Sequence, residues 1–458
     1  MLRRLAGPRR WRRAELGLAV LLLWIIVLWM ATPYDSPLLL GARFVAFKAL
    51  SFLRDPLDDA WWLRAPTVQH IDLSRDVALV IKTGYGTRAR VLAQLDAGAL
   101  LLEPGKKGVA GSVLVIGDFA AKYTHNGREV EIHDVVAAAV KHDALTGLTM
   151  TKAVERRLKK YANMTRVVRD GKAEDAEILA RRVGWELDAM KFIPGLELAY
   201  RRMPGKKWYI LQDDDTYFIR PTLESILARL DPSQPMYLGN GVGDFKGRFA
   251  HGGSGIVLSH GAMSRLFDQH PEVVREAYLN ALTEVWGDKL LATTLMKIGV
   301  YLDEWYGSFF NGERPTTTRI RPDHFCSPLV SFHELKDPSA MAEVGRRFRF
   351  GKKPVSWGQL WKMYGQADLD DFERRRIRIN EDHVGRTDEH TTTDQVDSAD
   401  ECLAICEAHH KTCIAWTWDK QQRKCHISPW MIIGEKTEGK YSGLNVPRIR
   451  SLMRGCTL

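Results

Sequence analysis

An apolar run that stops abruptly at three carboxylates constrains this chain more than any other feature: Lys207-Trp-Tyr-Ile-Leu-Gln-Asp-Asp-Asp-Thr-Tyr-Phe218. Trp208 to Leu211 reads as a buried strand. Asp213, Asp214 and Asp215 then fall at its C-terminal end, where open α/β sheets hold their ligands. Two like charges ~4 Å apart repel by ~4 kcal/mol at an effective dielectric of ~20. A hard divalent cation bridging to a diphosphate offsets that cost. The run therefore points to a metal-dependent enzyme with a nucleotide-activated donor. A solvated acidic loop is the plainer reading of an Asp triplet taken alone, and the surrounding pattern has to decide between them.

That pattern is an alternation of strands and helices. Val77 to Lys82 is a buried-strand run, followed by Thr83-Gly-Tyr-Gly-Thr87 and a helical stretch around Arg88 to Leu95. Val113 to Ile116 is a second strand, ending in Gly117-Asp118. Ala176 to Ile193 reads as a helix anchored by Trp185, Leu187, Met190 and Phe192, with Pro194-Gly195 as its breaker. Phe249-Ala-His-Gly-Gly-Ser-Gly-Ile-Val-Leu-Ser259 is a glycine-rich turn entering another strand. Such alternation predicts a largely parallel sheet. Gly84-x-Gly86 lacks the remaining spacing of a dinucleotide or P-loop fingerprint.

At 458 residues, with 45% hydrophobic and 27% charged residues, the chain has room for two or three globular domains. Its formal charge is +10, but Arg3, Arg4, Arg9, Arg10, Arg12 and Arg13 supply much of the excess. The charge sits in a tail, no nucleic-acid-binding motif accompanies it, and nucleic acid is not an expected partner. The tail (1–13) precedes the apolar run Leu16–Ala31, and residues 14–33 read as a transmembrane signal anchor. Arginines before the span and Asp35 after it leave the N-terminus cytosolic and the remainder lumenal, a single-pass type II arrangement. A cleaved signal peptide is the rival, but Thr32-Pro-Tyr-Asp35 is not a small-residue cleavage site. All six cysteines follow the anchor, as an oxidising lumen allows, and Asn163-Met-Thr165 is a glycosylation acceptor pattern. The expected location is a secretory-pathway membrane, the Golgi foremost.

Residues 34–75 read as a stem containing an apolar piece, Leu38 to Leu53, that either lies in a membrane interface or packs on the next domain. Residues 338–395 carry Arg346-Arg-Phe-Arg-Phe350 and Arg374-Arg-Arg376 and read as a charged linker with one helix around Trp357 to Tyr364. In 396–458 the spacing Cys402-x3-Cys406-x6-Cys413-x11-Cys425 marks a small disulfide-stapled module; zinc is the rival, without a Cys-x2-Cys pair to support it. Each bridge stabilises such a module by ~2–4 kcal/mol. Cys326 and Cys456 either pair with each other or stay free.

Taken together, six segments resemble the fringe-like and core-1 galactosyltransferase group, glycosyltransferase family 31, with fungal members the nearest likeness. They are Asp76–Thr83, Gly184–Pro194, Lys207–Phe218, Ala250–Ser259, Trp286-Gly-Asp-Lys-Leu-Leu-Ala292 and Pro328-Leu-Val-Ser-Phe-His333, in the family's order. The resemblance implies a GT-A (Rossmann-like) α/β fold over 76–337, a UDP-sugar donor, manganese or a similar divalent cation, and inversion at the anomeric carbon. It implies metal binding by Asp213, Asp215 and His333, and nucleotide-sugar contacts by Thr83, Arg88, Asp118 and Asp214. Asp288 matches the family's catalytic base, although Gly287 stands where relatives place a second acid. Gly252, Gly253 and Gly255 correspond to a loop approached closely by donor or acceptor.

The final segment resembles a PAN/apple module. That likeness implies the bridges Cys402–Cys425 and Cys406–Cys413 and a carbohydrate or protein ligand. Trp416 and Trp418 alternate with Thr417, as on a strand with one apolar face, and read as packing the module's core, with a carbohydrate platform as the alternative. The implied activity is β1,3 transfer to a glycan or glycoprotein, galactose onto O-linked N-acetylgalactosamine first and fringe-like N-acetylglucosamine transfer second. A non-catalytic glycan-binding protein is the reading from a different class.

Overall fold

A computed structural model of the chain describes residues 19–20, 23–24, 31–53, 61–98, 112–146, 150–171, 173–364, 368–454 and 456. The basic tail and most of the expected anchor at 14–33 lie outside the described residues. Among those described, no helix is long and apolar enough to cross a membrane.

The first domain is built on β1 (Val77–Lys82), β2 (Val113–Gly117), β3 (Ala121–His125), β4 (Arg128–Asp134), β5 (Trp208–Asp213), β6 (Tyr217–Phe218), β7 (Tyr237–Gly239), β8 (Gly241–Val242), β9 (Phe249–Ala250), β10 (Ile256–Ser259) and β11 (Ser331–Phe332). Seven of these form one sheet in the order β3-β4-β2-β1-β5-β10-β7. Its centre, β4-β2-β1-β5, is parallel; β3 pairs antiparallel with β4 at one edge, and β10 pairs antiparallel with both β5 and β7 toward the other. All six residues of β1 are buried because both sheet faces are covered. Ala78 and Val80 join Tyr209 and Leu211 in a core under the long helix Ala173–Arg202. Val77, Leu79 and Ile81 pack on the other face with Trp208, Ile210 and Trp62.

Two expectations about the long helix need correction. It runs through Pro194 to Arg202 without stopping. The missing amide of Pro194 costs one helical bond, but Leu196, Ala199 and Tyr200 bury their side chains in the core beyond it. Gly195 lets this part of the helix press onto β2, since an added Cβ would lie 2.2 Å from Ile116 Cδ1. Trp185 is not an anchor: it is 63% exposed. It sits two turns ahead of Phe192 on one helix face, where Gly252 and Gly287 cover Phe192 and nothing comparable covers Trp185.

The stretch 338–395 is not a free linker. Helices Pro338–Phe348, Gln359–Met363 and Leu369–Arg374 bury Met341, Val344, Phe348, Leu360, Trp361 and Phe372 in one cluster with Tyr217, Phe332 and Ile433. Of the arginines that suggested a linker, Arg346 and Arg347 lie on the outer face of the amphipathic helix Pro338–Phe348, Arg374 ends the helix Leu369–Arg374, and Arg349, Arg375 and Arg376 follow the helix ends. The second sheet comprises β12 (Arg378–Asp382), β13 (Thr392–Gln395), β14 (Ala415–Asp419), β15 (Lys424–Ser428) and β16 (Glu435–Leu444), ordered β12-β16-β14-β15-β13. Its first two strands precede 396, so the terminal module begins earlier than the cysteines suggest.

Trp416 and Trp418 pack in the module core with Cys402, Cys406, Cys413 and Cys425. Thr417 between them is buried too, its hydroxyl donating to Asp382 Oδ1 at 2.9 Å. Bridges join Cys402 to Cys425 and Cys406 to Cys413. Cys326 pairs with Cys456, tying the helix Val446–Arg454 to the first domain.

The apolar stem piece forms a helix, Pro37–Leu53, and one of its faces packs on the first domain. Leu40 is buried, Phe44 lies 6.4 Å from Phe245, and Phe47 lies 5.1 Å from Trp305 between ring centroids.

Candidate active site

The acidic triplet sits where β5 leaves the sheet. β5 ends at Asp213, and the chain turns through Asp214 and Asp215 before pairing β6 with β11. Gln94 fixes that turn from below, donating to the carbonyls of Asp213 and Thr216 at 3.0 and 2.6 Å. β6 and β11 pair Tyr217 with Phe332, which brings His333 alongside Asp215. One oxygen each from Asp213 and Asp215 and one nitrogen of His333 lie within 4.8 Å of one another. His333 Nε2 is 3.2 Å from Asp215 Oδ1, while Nδ1 lies 3.3 Å from the Gly312 carbonyl. That second contact keeps the Nδ1 hydrogen in place and turns Nε2 toward the acids, the orientation a ligating imidazole needs. Two carboxylates and one imidazole form a donor set that fits manganese or a similar divalent cation.

His333, Asp215 and Asp214 are electrostatically tuned. Burial acts to lower the His333 pKa, but the hydrogen bond and charge of Asp215 outweigh it and raise the group above its ordinary value. Burial acts to raise Asp215, and the His333 contact with Arg90 behind it outweighs that, holding the carboxyl low. Asp214 turns the other way. Its Oδ2 accepts from the hydroxyls of Thr83 at 2.6 Å and Thr87 at 2.5 Å. Burial nonetheless pushes its pKa up to about 6. Asp214 is thus engaged by the β1 loop, and Asp213 and Asp215 are left to face His333.

Around this corner lie cations and acids that sequence reasoning missed. Lys82, at the end of β1, reaches Asp188 Oδ1 at 2.7 Å and Asp213 Oδ1 at 2.8 Å. Burial alone would lower its pKa, but the two carboxylates outweigh burial and raise it. Arg90 lies 3.5 Å from both Asp214 and Asp215. Lys191 Nζ is 2.9 Å from Asp118 Oδ2 and donates to the Thr83 carbonyl at 2.9 Å. A lysine closing the apolar run of β1, and the i, i+3 pair Asp188 and Lys191 on a helix leading to the sheet, were the available signals.

The expected nucleotide-sugar residues divide. Thr83 and Asp214 meet directly. Asp118 is 1% exposed, takes the Tyr85 amide at 3.0 Å, and is neutralised by Lys191. Arg88 does not join the acidic corner: its guanidinium pairs with Glu177 at 3.1 Å and lies 4.1 Å from the Tyr85 ring centroid. Arg90 takes the place near the acids because it falls two positions further round the next helix, Ala89–Asp96.

Asp288 opens the helix Gly287–Lys297 and faces the glycine-rich turn. Its Oδ2 accepts the Gly252 amide at 3.0 Å and its Oδ1 the Lys289 amide at 2.9 Å. Burial raises its pKa, and these two amides only partly offset the rise. Gly253 touches the metal-ligand candidate from the other side: an added Cβ would lie 2.3 Å from His333 Cε1. Gly255 has φ +88° and continues the turn into β10. One short turn therefore contacts both Asp288, through Gly252, and His333, through Gly253. Gly287 is required by packing, since a Cβ there would lie 2.2 Å from Phe192 Cδ2. A second acid at this position has no room.

Residues 186–362 match the Fringe-like family and residues 376–439 match the PAN domain. The first match starts within the long helix and ends past the predicted domain boundary at 337. The second starts ahead of the predicted boundary at 396, as the second sheet does. The chain is also similar to human chondroitin sulfate glucuronyltransferase, 32% identical over 166 residues, which is 35% of this chain and 21% of that protein. The chain thus spans about a fifth of the relative's length. It carries a Fringe-like domain followed by a PAN domain.

Proposed function

We propose that this protein is a metal-dependent, inverting glycosyltransferase that transfers a sugar from a UDP-sugar to a glycan or glycoprotein in β1,3 linkage. The observation that carries the reading is the convergence of Asp213, Asp215 and His333 within 4.8 Å, with Asp288 joined to them through the Gly252–Gly253 turn. The Fringe-like match and the glycosyltransferase relative support the reaction class.

Asp213, Asp215 and His333 would hold a divalent cation that supplies positive charge against the diphosphate of the departing UDP. Asp288 accepts the proton of the attacking acceptor hydroxyl. Its raised pKa strengthens it as a base, and the Gly252 and Lys289 amides fix the carboxylate plane. Asp214 holds Thr83 and Thr87 in place at the mouth of β1, shaping the donor pocket. Lys82 and Arg90 add fixed positive charge beside the acids, the arrangement that stabilises charge developing on a leaving phosphate.

Galactose transfer to O-linked N-acetylgalactosamine is the leading assignment, with N-acetylglucosamine transfer second; the relative's name adds glucuronic acid to the donors to be screened. Residues 14–33 act as the signal anchor of a secretory-pathway membrane, with the Fringe-like domain lumenal. The decisive test is transfer by the purified protein across a panel of UDP-sugars with manganese. Full activity in EDTA, or after Asp215→Ala, would falsify the metal assignment. Glycan binding without manganese-dependent UDP affinity would replace the enzyme by a lectin.

A further inference from the structure

The stem helix Pro37–Leu53 shows apolar residues on the face that a surface helix normally gives to polar ones. At ~100° per residue, Leu40, Phe44, Phe47 and Ser51 form the stripe against the first domain. The opposite arc contains Leu38, Ala42, Val45, Ala46, Ala49, Phe52 and Leu53, without one polar side chain. Leu38 is 78%, Val45 66%, Phe52 87% and Leu53 79% exposed. The helix's two cations, Arg43 and Lys48, fall on the borders between the two arcs. Arg43 stacks 3.9 Å over the Tyr301 ring and Lys48 lies 5.4 Å from the Phe44 ring.

We propose that this outward face docks into the surface of a bilayer, holding the catalytic domain flat against the membrane. The proposal rests on the reading of Leu16–Ala31 as an anchor in that bilayer. Chain geometry then leaves little freedom. Tyr34 is fixed to the domain: its carbonyl accepts the Tyr301 hydroxyl at 2.9 Å, and its ring packs against Gly299. Only Thr32 and Pro33 separate Ala31 from Tyr34, and the three residue steps between them reach at most ~11 Å. The domain therefore cannot stand off the membrane, and the helix that begins at Pro37 meets the headgroup region with its apolar arc outward. Cations bordering an apolar arc suit the headgroup level, where long basic side chains reach phosphate while their neighbours enter the acyl boundary.

The test uses the full chain in phosphatidylcholine vesicles containing phosphatidylserine. All six cysteines are paired, so an introduced cysteine is the only free thiol for a polarity-sensitive fluorophore. Phe52→Cys and Val45→Cys should shift to the blue and be quenched by lipids carrying a nitroxide near the headgroup. Ile178→Cys, exposed on the long helix, should show neither effect. Trp24→Cys, read with a nitroxide deep in the acyl chain, reports the anchor separately. Quenching at 24 with water-like emission at 45 and 52 overturns the docking and keeps the anchor. Quenching at 45 and 52 without it at 24 keeps the docking and overturns the anchor. A blue shift at 45 and 52 that nitroxide lipids leave unquenched means that protein, a second copy or the apolar run folded back, covers the face, and overturns the proposal. The double variant Phe52→Glu, Leu53→Glu should abolish quenching at Val45→Cys and leave that at Trp24→Cys unchanged.

Discussion

His333 Nε2 lies 3.2 Å from Asp215 Oδ1 because Phe332 and Tyr217 are partners in a short antiparallel ladder. The ladder hydrogen-bonds the chain on either side of the acidic corner, and Leu335 extends the contact by donating its amide to the Asp215 carbonyl at 3.1 Å. The pair is thus positioned by backbone, so its side chains can be altered without dismantling the fold. Asp215→Ala and His333→Ala should each lower transfer by ~10²–10³-fold and weaken manganese binding by calorimetry, with far-UV circular dichroism unchanged. Wild-type turnover in either variant would remove these residues from the centre.

Asp288 separates chemistry from binding. Asp288→Asn keeps the size of the side chain and its acceptor oxygen for the Gly252 amide, but cannot take a proton. Turnover should fall by ~10²–10⁴-fold while UDP affinity stays within a factor of ~2. As the proposed base Asp288 would work ionised, and burial raises its pKa. Activity should therefore be lost as pH falls through that raised value and hold on the alkaline side. An acidic limb that persists unchanged in the Asp288→Asn residual activity would assign the limb elsewhere.

Lys82 offsets two carboxylates at once, Asp188 and Asp213, from a side chain that is 7% exposed. Removing one partner of a buried ion pair leaves uncompensated charge and costs ~3–5 kcal/mol. Lys82→Met should lower the urea midpoint by a corresponding amount. The double variant Lys82→Met, Asp188→Leu should recover part of the loss, and a fully additive double variant would show that the pair is not coupled.

The three disulfides should rank by the chain they close. Cys326–Cys456 spans 130 residues and Cys406–Cys413 spans 7. By loop entropy these are worth ~5 and ~2 kcal/mol respectively. Cys326→Ser with Cys456→Ser should lower the melting temperature more than Cys406→Ser with Cys413→Ser. Hydrogen exchange should locate the loosening at Val446–Arg454.

Asp382 gives the PAN domain an acid limit. Burial acts to raise its carboxyl, but the Gly385 amide and Lys440, 2.7 Å away, outweigh it and hold the pKa below its ordinary value of 3.8. A depressed carboxylate contributes stability that is present above its unfolded pKa and lost as pH falls through the folded one. Acid unfolding of the wild type should therefore steepen below about pH 4. In Asp382→Asn that step should be absent, at the cost of lower stability at neutral pH.

The sequence by itself determined what local pattern can encode. Continuous apolar runs marked β1, β2 and β5 because strands covered on both faces admit little else. The acids fell at a strand end because that is where β5 stops, and the helical stretch read around Arg88 to Leu95 forms as Ala89–Asp96. The spacing of four cysteines identified a stapled module. Tertiary structure decided what depends on distant partners. Pro194 continues a helix because the core beyond it outweighs one lost hydrogen bond. Trp185 stands in solvent because the turn that covers Phe192 does not reach it. The supposed linker folds because its apolar residues meet Tyr217 and Phe332 from another part of the chain. Lys82, Arg90, Asp188 and Lys191 join the acidic corner only through packing of β1, β5 and two helices, a proximity that no spacing along one chain expresses. Charge pairing and burial act through space, and sequence order records only the part of space within a few residues.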